Sequence, residues 1–367
     1  MNTKKRVIAI YLPQYHPFKE NDEWWGKGFT EWRNVAKARP LFRGHYQPHI
    51  PSDLGFYDLR LAETRQQQAD MAREYGIYGF CYYHYWFNGH LLMERPINEM
   101  LSSQEPDFPF MFCWANENWT RAWDGANKNV LIEQNYSFDD DVAHINYLLD
   151  NVFCDKRYIR IDGKPVFAVY RTSLFPNIKK TVDIWRTEAR KRGVELYLCR
   201  FEAFNDIVTD LHDIGFDAAI QFPPHNITPY QKKYTPIRHY TNVILHRVFN
   251  RNILKNIFNY KWYVKEEIES PERDYKRYSC ITPMWDNTPR KKKDYFVLTG
   301  STPDLYRELL AAKLRKFKPY SQEENLFFIN AWNEWAEGNH LEPDLKWGTK
   351  YLEATREAII TNDQLED

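Results

Sequence analysis

No segment of the chain approaches the roughly 20 consecutive apolar residues that a membrane-spanning helix needs. The start Met1-Asn2-Thr3-Lys4-Lys5-Arg6 is basic like a signal peptide, but the apolar run behind it covers only Val7 to Leu12 and is broken by Pro13 and Gln14. The expected location is therefore the cytoplasm. An excess of one charge is missing as well: 50 Lys and Arg stand against 50 Asp and Glu, so no global field draws in nucleic acid or a membrane. Cysteine is sparse and odd in number. Cys81, Cys113, Cys154, Cys199 and Cys280 lie far apart with no CxxC pair, and four of them fall inside apolar runs. That pattern reads as buried thiols in a reducing compartment, not as bridges or zinc ligands. No His/Cys/Asp/Glu cluster has clean metal-ligand spacing. His45 and His49 stand four apart, but that spacing serves a metal only on a helix, which Pro48 opposes. No metal and no cofactor are expected. The G-x-S-x-G elbow of a serine nucleophile is absent. So is the glycine-rich turn of a dinucleotide-binding sheet, whose place after the first strand is taken by Leu12-Pro13-Gln14-Tyr15.

What the chain has in abundance is aromatic surface: 13 Trp, 25 Tyr and 23 Phe make up 17% of it. Aromatic faces stack on the apolar faces of sugars while their polar edges hydrogen-bond, so a carbohydrate cleft would use such a surplus. A Tyr- and Phe-rich core is the alternative.

Along the chain, short β-branched or aromatic runs alternate with helical patterns. Strands are expected at Val7–Tyr11, Gly76–Tyr83, Phe108–Trp114, Lys164–Tyr170, Val194–Cys199, Phe216–Phe222, Ser279–Asp286 and Leu326–Trp332. Helices are expected at Leu61–Tyr75, Pro96–Ser103, Val142–Leu149, Ile178–Arg192, Asn205–Ile214, Pro303–Phe317 and Tyr351–Ile360. Eight strands with crossover helices point to an α/β fold of the (β/α)8 barrel type, one catalytic domain over residues 1–367 with long βα loops. The loop after the first strand is nearly fifty residues, a length usually tied to function.

Two features of the loops admit two readings. Asp139-Asp140-Asp141 could be the DxD metal motif of nucleotide-sugar transferases, but acids at a helix start are explained by capping and the helix dipole. After the sixth strand an insertion occupies about 226–270. Between Ile227 and Lys265 it carries eight Lys or Arg, no Asp or Glu, and interleaved apolar residues. This could meet anionic lipid or a lipid-linked diphosphate, although an ordinary solvated helical insertion is the favoured reading. Arg290-Lys291-Lys292-Lys293 reads as a solvated surface run.

The chemistry is expected in Asn330-Ala331-Trp332-Asn333-Glu334-Trp335-Ala336-Glu337-Gly338, where the last strand runs out into a loop. Glu334 and Glu337, three residues apart, could supply an acid and a base to one substrate if both face the same cavity; the alternative is that one or both cap the next helix or pair with an arginine. Barrels gather their functional groups at the C-terminal ends of strands. The candidates for substrate binding fall there: Tyr11, Tyr15 and His16 after the first strand, with Trp32 in the loop beyond. Tyr83, His84, Tyr85 and Trp86 end the second, and Trp114, Asn116, Glu117 and Trp119 follow the third. Trp285 ends the seventh, and Trp332, Asn333 and Trp335 surround the glutamates.

The string Trp332-Asn333-Glu334-Trp335-Ala336-Glu337-Gly338-Asn339-His340-Leu341-Glu342-Pro343 resembles the catalytic signature of glycoside hydrolase family 99, the endo-α-mannosidase family. The N-terminal strings Tyr11-Leu12-Pro13-Gln14-Tyr15-His16, Gly28-Phe29-Thr30-Glu31-Trp32, Gly44-His45-Tyr46-Gln47-Pro48-His49 and Asp53-Leu54-Gly55-Phe56-Tyr57-Asp58 are similar to the related WbsX group, family-99-like domains encoded with O-antigen and capsule biosynthesis and often labelled glycosyltransferases. The resemblance implies a (β/α)8 barrel and a retaining reaction through a 1,2-anhydro sugar. In that scheme Glu334 would deprotonate the substrate's 2-hydroxyl, and Glu337 would protonate the leaving oxygen and then activate water. It differs from the usual scheme in which a carboxylate attacks carbon. The expected partner is an oligosaccharide or polysaccharide, and three functions compete: an endo-glycosidase or transglycosidase on an α-linked, mannose-like glycan, a glycosyltransferase with an activated donor, and a binding module that kept the cleft.

Overall fold

The structure, a computed structural model, describes residues 4–120, 130–203, 210–225, 244, 256–291 and 295–366. Nine parallel segments form its central sheet: β1 (Arg6–Tyr11), β2 (Gly79–Phe87), β3 (Phe110–Trp114), β4 (Lys164–Val169), β5 (Tyr197–Glu202), β6 (Ala218–Gln221), β7 (Arg277–Tyr278), β8 (Cys280–Ile281) and β9 (Leu326–Ile329). Their spatial order is β7-β6-β5-β4-β3-β2-β1-β9-β8. The two ends of that order, β7 and β8, are separated in sequence only by Ser279, so the sheet closes on itself. Across the seam the Ala219 N–H donates to the Lys276 carbonyl and the Phe328 N–H to the Ser279 carbonyl, both at 2.9 Å. β7 and β8 together thus act as the seventh stave of an eight-stave barrel.

The strands read as unbroken apolar runs because both faces are covered. Val7 to Ile10 and Leu326 to Ile329 are almost wholly inaccessible, and Cys81, Cys113, Cys199 and Cys280 are buried free thiols within the strands. Around the barrel run two short helices, α1 (Lys19–Trp25) and α2 (Trp32–Lys37), and then α3 (Ala62–Glu74), α4 (Arg95–Ser103), α5 (Phe138–Asn151), α6 (Ile178–Lys191), α7 (Tyr260–Glu269), α8 (Pro303–Lys316) and α9 (Lys350–Glu366). α6 shows why these segments are helical. Asn177 caps it by accepting from the Lys180 N–H, and Val182, Trp185 and Ala189 recur on one buried stripe. Arg190 and Lys191 favour the C-terminal end of its dipole. In α5 the Ser137 side chain is the cap, while Asp140 accepts from the Trp86 indole and Asp141 from Thr181. Those acids serve the helix and its packing.

Three expectations need correction. β2 continues to Phe87, well past Tyr83, and this decides where four candidate residues point. Trp285–Asp286 is not the end of a barrel strand: it pairs with Phe296–Thr299, beside Asn256–Asn259, in a separate three-stranded sheet. Arg290 is not on a solvated run; its side chain is only 11% exposed. The helix expected at Asn205–Ile214 lies outside the described residues up to position 209, and its described end is a 3₁₀ turn, His212–Ile214. Most of the basic stretch 227–265 also lies outside them. Of its described part, Phe258 is buried against Phe296, and α7 buries Tyr260, Tyr263 and Val264. Among the described residues no helix is long and apolar enough to cross a membrane.

Gly79, at the start of β2, sits where strands approach closely: a Cβ there would lie 2.5 Å from the Pro109 carbonyl oxygen. A backbone atom cannot swing aside as a side chain would. Gly79→Ala should therefore destabilise the barrel by about 1–3 kcal/mol through overpacking, measured as a lower midpoint in urea at unchanged slope.

Candidate active site

At the C-terminal ends of the strands lies a cavity of about 320 Å³. Its wall is built from residues that follow β1 (Leu12, Gln14), β3 (Glu117, Trp119), β4 (Tyr170), β6 (His225), β8 (Asn287, Arg290, Lys291) and β9 (Glu334, Glu337), together with Tyr83 and Tyr85 of β2. Both glutamates expected to carry the chemistry are therefore on one cavity.

Arg290 holds them there. Its Nε donates to Glu31 Oε2 at 2.8 Å and its Nη2 to Glu334 Oε2 at 3.0 Å, and its Nη1 lies 2.9 Å from Glu337 Oε1. Side-chain exposure grades outward from 0% at Glu31 through 7% at Glu334 to 22% at Glu337, so Glu337 is the carboxyl most open to an incoming molecule. Burial pushes the Glu334 carboxyl up to about 8; Arg290 opposes the shift, and the charges of Glu337 and Glu31 add to it. Burial also works against the Arg290 charge, but the three glutamates hold the guanidinium firmly protonated. The cluster thus favours the protonated form of Glu334 over its carboxylate.

The local chain geometry explains why both glutamates face inward. Asn333–Glu334 pairs antiparallel with Asn339–His340, and a 3₁₀ turn, Trp335–Glu337, links the two short strands. Gly338 closes the turn at φ 52°, and a Cβ on it would lie 2.8 Å from Asp286 Cβ. Only glycine meets both demands. Asp286 is itself fixed: His45 Nε2 and Gln47 Nε2 lie 2.6 and 2.7 Å from its Oδ2. Burial alone would raise its carboxyl, yet hydrogen bonds from His45, Thr288 and Gln47 hold it below the usual range.

Of the sixteen expected substrate-binding residues, four line the cavity: Tyr83, Tyr85, Glu117 and Trp119. Because β2 continues through this region, successive side chains alternate. Tyr83 and Tyr85 face the cavity, while His84 lies 3.0 Å from His144 and Trp86 donates to Asp140 Oδ1 on the α5 side. Trp114 is buried and donates to the Trp86 carbonyl. Asn116 clamps the backbone of Arg171, accepting its N–H and donating to its carbonyl, both at 2.8 Å; Arg171 in turn pairs with Glu117 at 2.6 Å. Asn333 holds Leu12 in the same way, accepting its N–H at 2.8 Å and donating to its carbonyl at 3.1 Å.

The remaining residues stand behind the wall. Tyr15 packs on Trp32 with ring centroids 4.4 Å apart, and its hydroxyl accepts from the Trp335 N–H. Trp32 donates to the Tyr57 carbonyl, and Trp335 to Glu342 Oε2 at 2.6 Å. Tyr11 donates to Gln68, which donates to Glu342 Oε1. Burial pushes the Glu342 carboxyl up to about 7 against these hydrogen bonds. Trp332 is buried against Phe80, and burial lowers His16 to about 4. Trp285 packs edge-on against His225.

Sequence reading missed Arg290, Glu31, Tyr170, His225, Lys291 and Arg171. A signal for Arg290 did exist in the glutamates: buried carboxylates at strand ends require a cation, and the loop after the seventh stave supplies one.

A closed (β/α)8 barrel with a carboxylate cluster and aromatic wall at its strand ends is the build of a carbohydrate-active enzyme. The chain belongs to the WbsX family: the family model described as "Glycosyltransferase WbsX" matches residues 7–355. It is 41% identical over 355 residues to protein WxcX from two strains of Xanthomonas campestris pv. campestris. That match covers 96% of this chain, and the chain spans about half, 49%, of those relatives. In fold it is similar to the GH99 endo-alpha-mannosidase from Bacteroides thetaiotaomicron, with a TM-score of 0.61 at 13% identity over 98% of both chains. It is also similar to a glycoside hydrolase-like protein, with a TM-score of 0.57 at 14% identity over 98% of this chain and 94% of that one.

Two outcomes test the cluster. Between the ordinary carboxylate value of 4.5 and about 8, the folded chain keeps a proton on Glu334 that the unfolded chain has released, so this group's contribution to stability falls as pH rises across that window. Glu334→Gln removes it, and urea unfolding from about pH 5 to 8 should give a flatter stability profile than in the unaltered chain; equal slopes would place the proton elsewhere. Arg290→Met leaves Glu31 buried without its cation and should cost about 3–5 kcal/mol by the same measurement.

Proposed function

We propose that the chain is a retaining endo-acting glycosidase or transglycosidase for an α-linked, mannose-like glycan of bacterial surface polysaccharide, working through a 1,2-anhydro sugar. The observation that carries this reading is the bridge of Glu334 and Glu337 by one guanidinium, at 3.0 and 2.9 Å, on a cavity walled by Tyr83, Tyr85 and Trp119. Aromatic faces there suit sugar rings. Glu334, the deeper carboxyl, takes the proton of the substrate's 2-hydroxyl as that oxygen attacks the anomeric carbon. Glu337, the more open one, gives a proton to the leaving oxygen and later takes one from the water or sugar hydroxyl that attacks the anomeric carbon, while the 2-oxygen leaves that carbon and takes its proton back from Glu334.

The pair needs one proton between its two carboxyls. In the free site burial favours that proton on Glu334. A sugar whose 2-hydroxyl donates to Glu334 and whose glycosidic oxygen accepts from Glu337 favours the other arrangement. The last proton leaves near pH 8, so kcat/KM should fall about tenfold per unit above that pH. Because Arg290 lowers Glu334, Arg290→Met should move this fall to higher pH in whatever activity remains. Glu337→Gln should cost about a hundredfold or more in turnover on defined O-antigen fragments, with product anomers followed by NMR. Unchanged turnover, or an inverted product, would sink the assignment.

A second reading, a glycosyltransferase using an activated sugar donor, draws support from the description of the family and from Lys291 on the cavity wall, a cation that could meet a donor phosphate. It requires saturable binding of a nucleotide sugar. Calorimetry showing none across the common donors would remove it.

A further inference from the structure

We propose that His49, His340 and Asp344 form a binding site for a divalent transition-metal cation of the zinc type, separate from the glutamate cavity. His49 lies in the long loop after β1 and the other two in the loop after β9, so nearly three hundred residues of chain separate the donors. His49 Nδ1 is 2.9 Å from His340 Nε2, which is 3.8 Å from Asp344 Oδ2; the three atoms lie within 4.8 Å of one another, and all three residues are buried. Adjacent donors around an ion with bonds near 2.1 Å stand about 3.0–3.4 Å apart. The separation of 2.9 Å falls just below that range and the one of 3.8 Å above it, so a bound ion would draw Asp344 inward by a few tenths of an ångström.

Each donor is prepared by what lies behind it. His340 Nδ1 is 2.9 Å from the Glu342 carbonyl, which can only accept, so that nitrogen carries the proton and the Nε2 lone pair faces the cluster. Asp344 Oδ1 accepts from the Lys346 and Trp347 N–H groups at 2.9 and 2.7 Å. Its Oδ2 accepts no hydrogen bond among the described residues, although the side chain is 2% exposed. A buried carboxylate oxygen without a donor is costly, and a cation is the partner that fits it. His49 now shares a proton with His340; moving its own proton to Nε2 leaves Nδ1 free to ligate. His49 also lines a second cavity, of about 140 Å³, from which water can complete the coordination. The nearby ammonium of Lys346 is drawn aside over the rings of Tyr46 and Trp347, 4.4 and 4.9 Å from their centroids.

Such an ion would tie the loop after β1 to the hairpin that carries Glu334, because His340 pairs with Asn333 in that hairpin and its ring stacks on Trp335 at 3.7 Å. The test uses the full chain without a histidine tag, stripped with a chelator and titrated with Co²⁺ and then Zn²⁺. One equivalent of Co²⁺ should give a visible d–d absorption that Zn²⁺ abolishes, and the melting midpoint should rise by about 5 °C at a hundredfold excess over Kd. Asp344→Asn keeps an acceptor for both backbone N–H groups but removes the anionic oxygen, and should weaken binding at least about tenfold. His49→Gln provides the same comparison should Asp344→Asn fail to fold. No stoichiometric Co²⁺ band in the unaltered chain, or equal binding in the folded variants, would overturn the site.

Discussion

The fork of Arg290 is the constraint on which the upper face of the barrel depends. Three carboxylates crowd one place with little water, an arrangement that repels itself unless a cation reaches all three. A guanidinium offers Nε, Nη1 and Nη2 in one plane, and here each takes a different glutamate; a lysine would bring a single nitrogen to the same task. The three elements so joined are far apart in the chain. Glu31 belongs to the loop after β1, Arg290 to the loop after β8, and Glu334 and Glu337 to the turn after β9. Closing the barrel seam at β7 and β8 brings the last two loops beside the first, and the ion cluster locks them at a fixed spacing.

A second layer keeps that lock in place. Tyr15, Trp32, Tyr57 and Trp335 pack ring on ring directly behind the glutamate turn, and Glu342 gathers donors from Trp335, Gln68 and Tyr57. Asn116 and Asn333 each hold both backbone groups of a residue on a neighbouring loop. These side chains shape the site from behind its wall. The aromatic surplus thus has two destinations: Tyr83, Tyr85, Trp119 and Tyr170 face the cavity, and a larger set builds the scaffold that orients it. The two explanations of the composition each account for part of it.

The barrel was legible in the sequence because a parallel sheet covered on both faces leaves plain marks, continuous apolar runs such as Val7–Tyr11 and Leu326–Ile329, punctuated by capped helices. The glutamate pair was legible because it sits where such a run ends. What escaped was whatever depends on contacts across the chain. Arg290 heads a run of four basic residues, and nothing in that run tells which member folds inward. His84 and Trp86 alternate with Tyr83 and Tyr85, so a strand that runs on to Phe87 instead of ending at Tyr83 turns half the cluster away from the cavity. Asn116 and Asn333 sit where a sugar contact would be expected, yet loop backbones at strand ends need satisfying too. His49 and His340 meet only after closure, and no spacing rule spans that distance.

The charge of the cluster also bears on what can enter. Arg290 shares one guanidinium among three carboxyls, and this cluster forms the floor of the cavity. A neutral sugar ring meets it through hydroxyl donors without penalty. A phosphate placed at the same depth would face carboxylates with their cation already engaged. A nucleotide-sugar donor would therefore have to enter with its sugar toward the glutamates and its diphosphate toward Lys291, nearer the rim. A hydrolase or transglycosidase needs no such cation at the rim, because a neutral glycan has only to present its 2-hydroxyl to Glu334 and its glycosidic oxygen to Glu337. The two readings thus differ in the geometry they demand of one site: the transferase requires a cationic rim above the carboxyl cluster, and the glycosidase requires only the cluster.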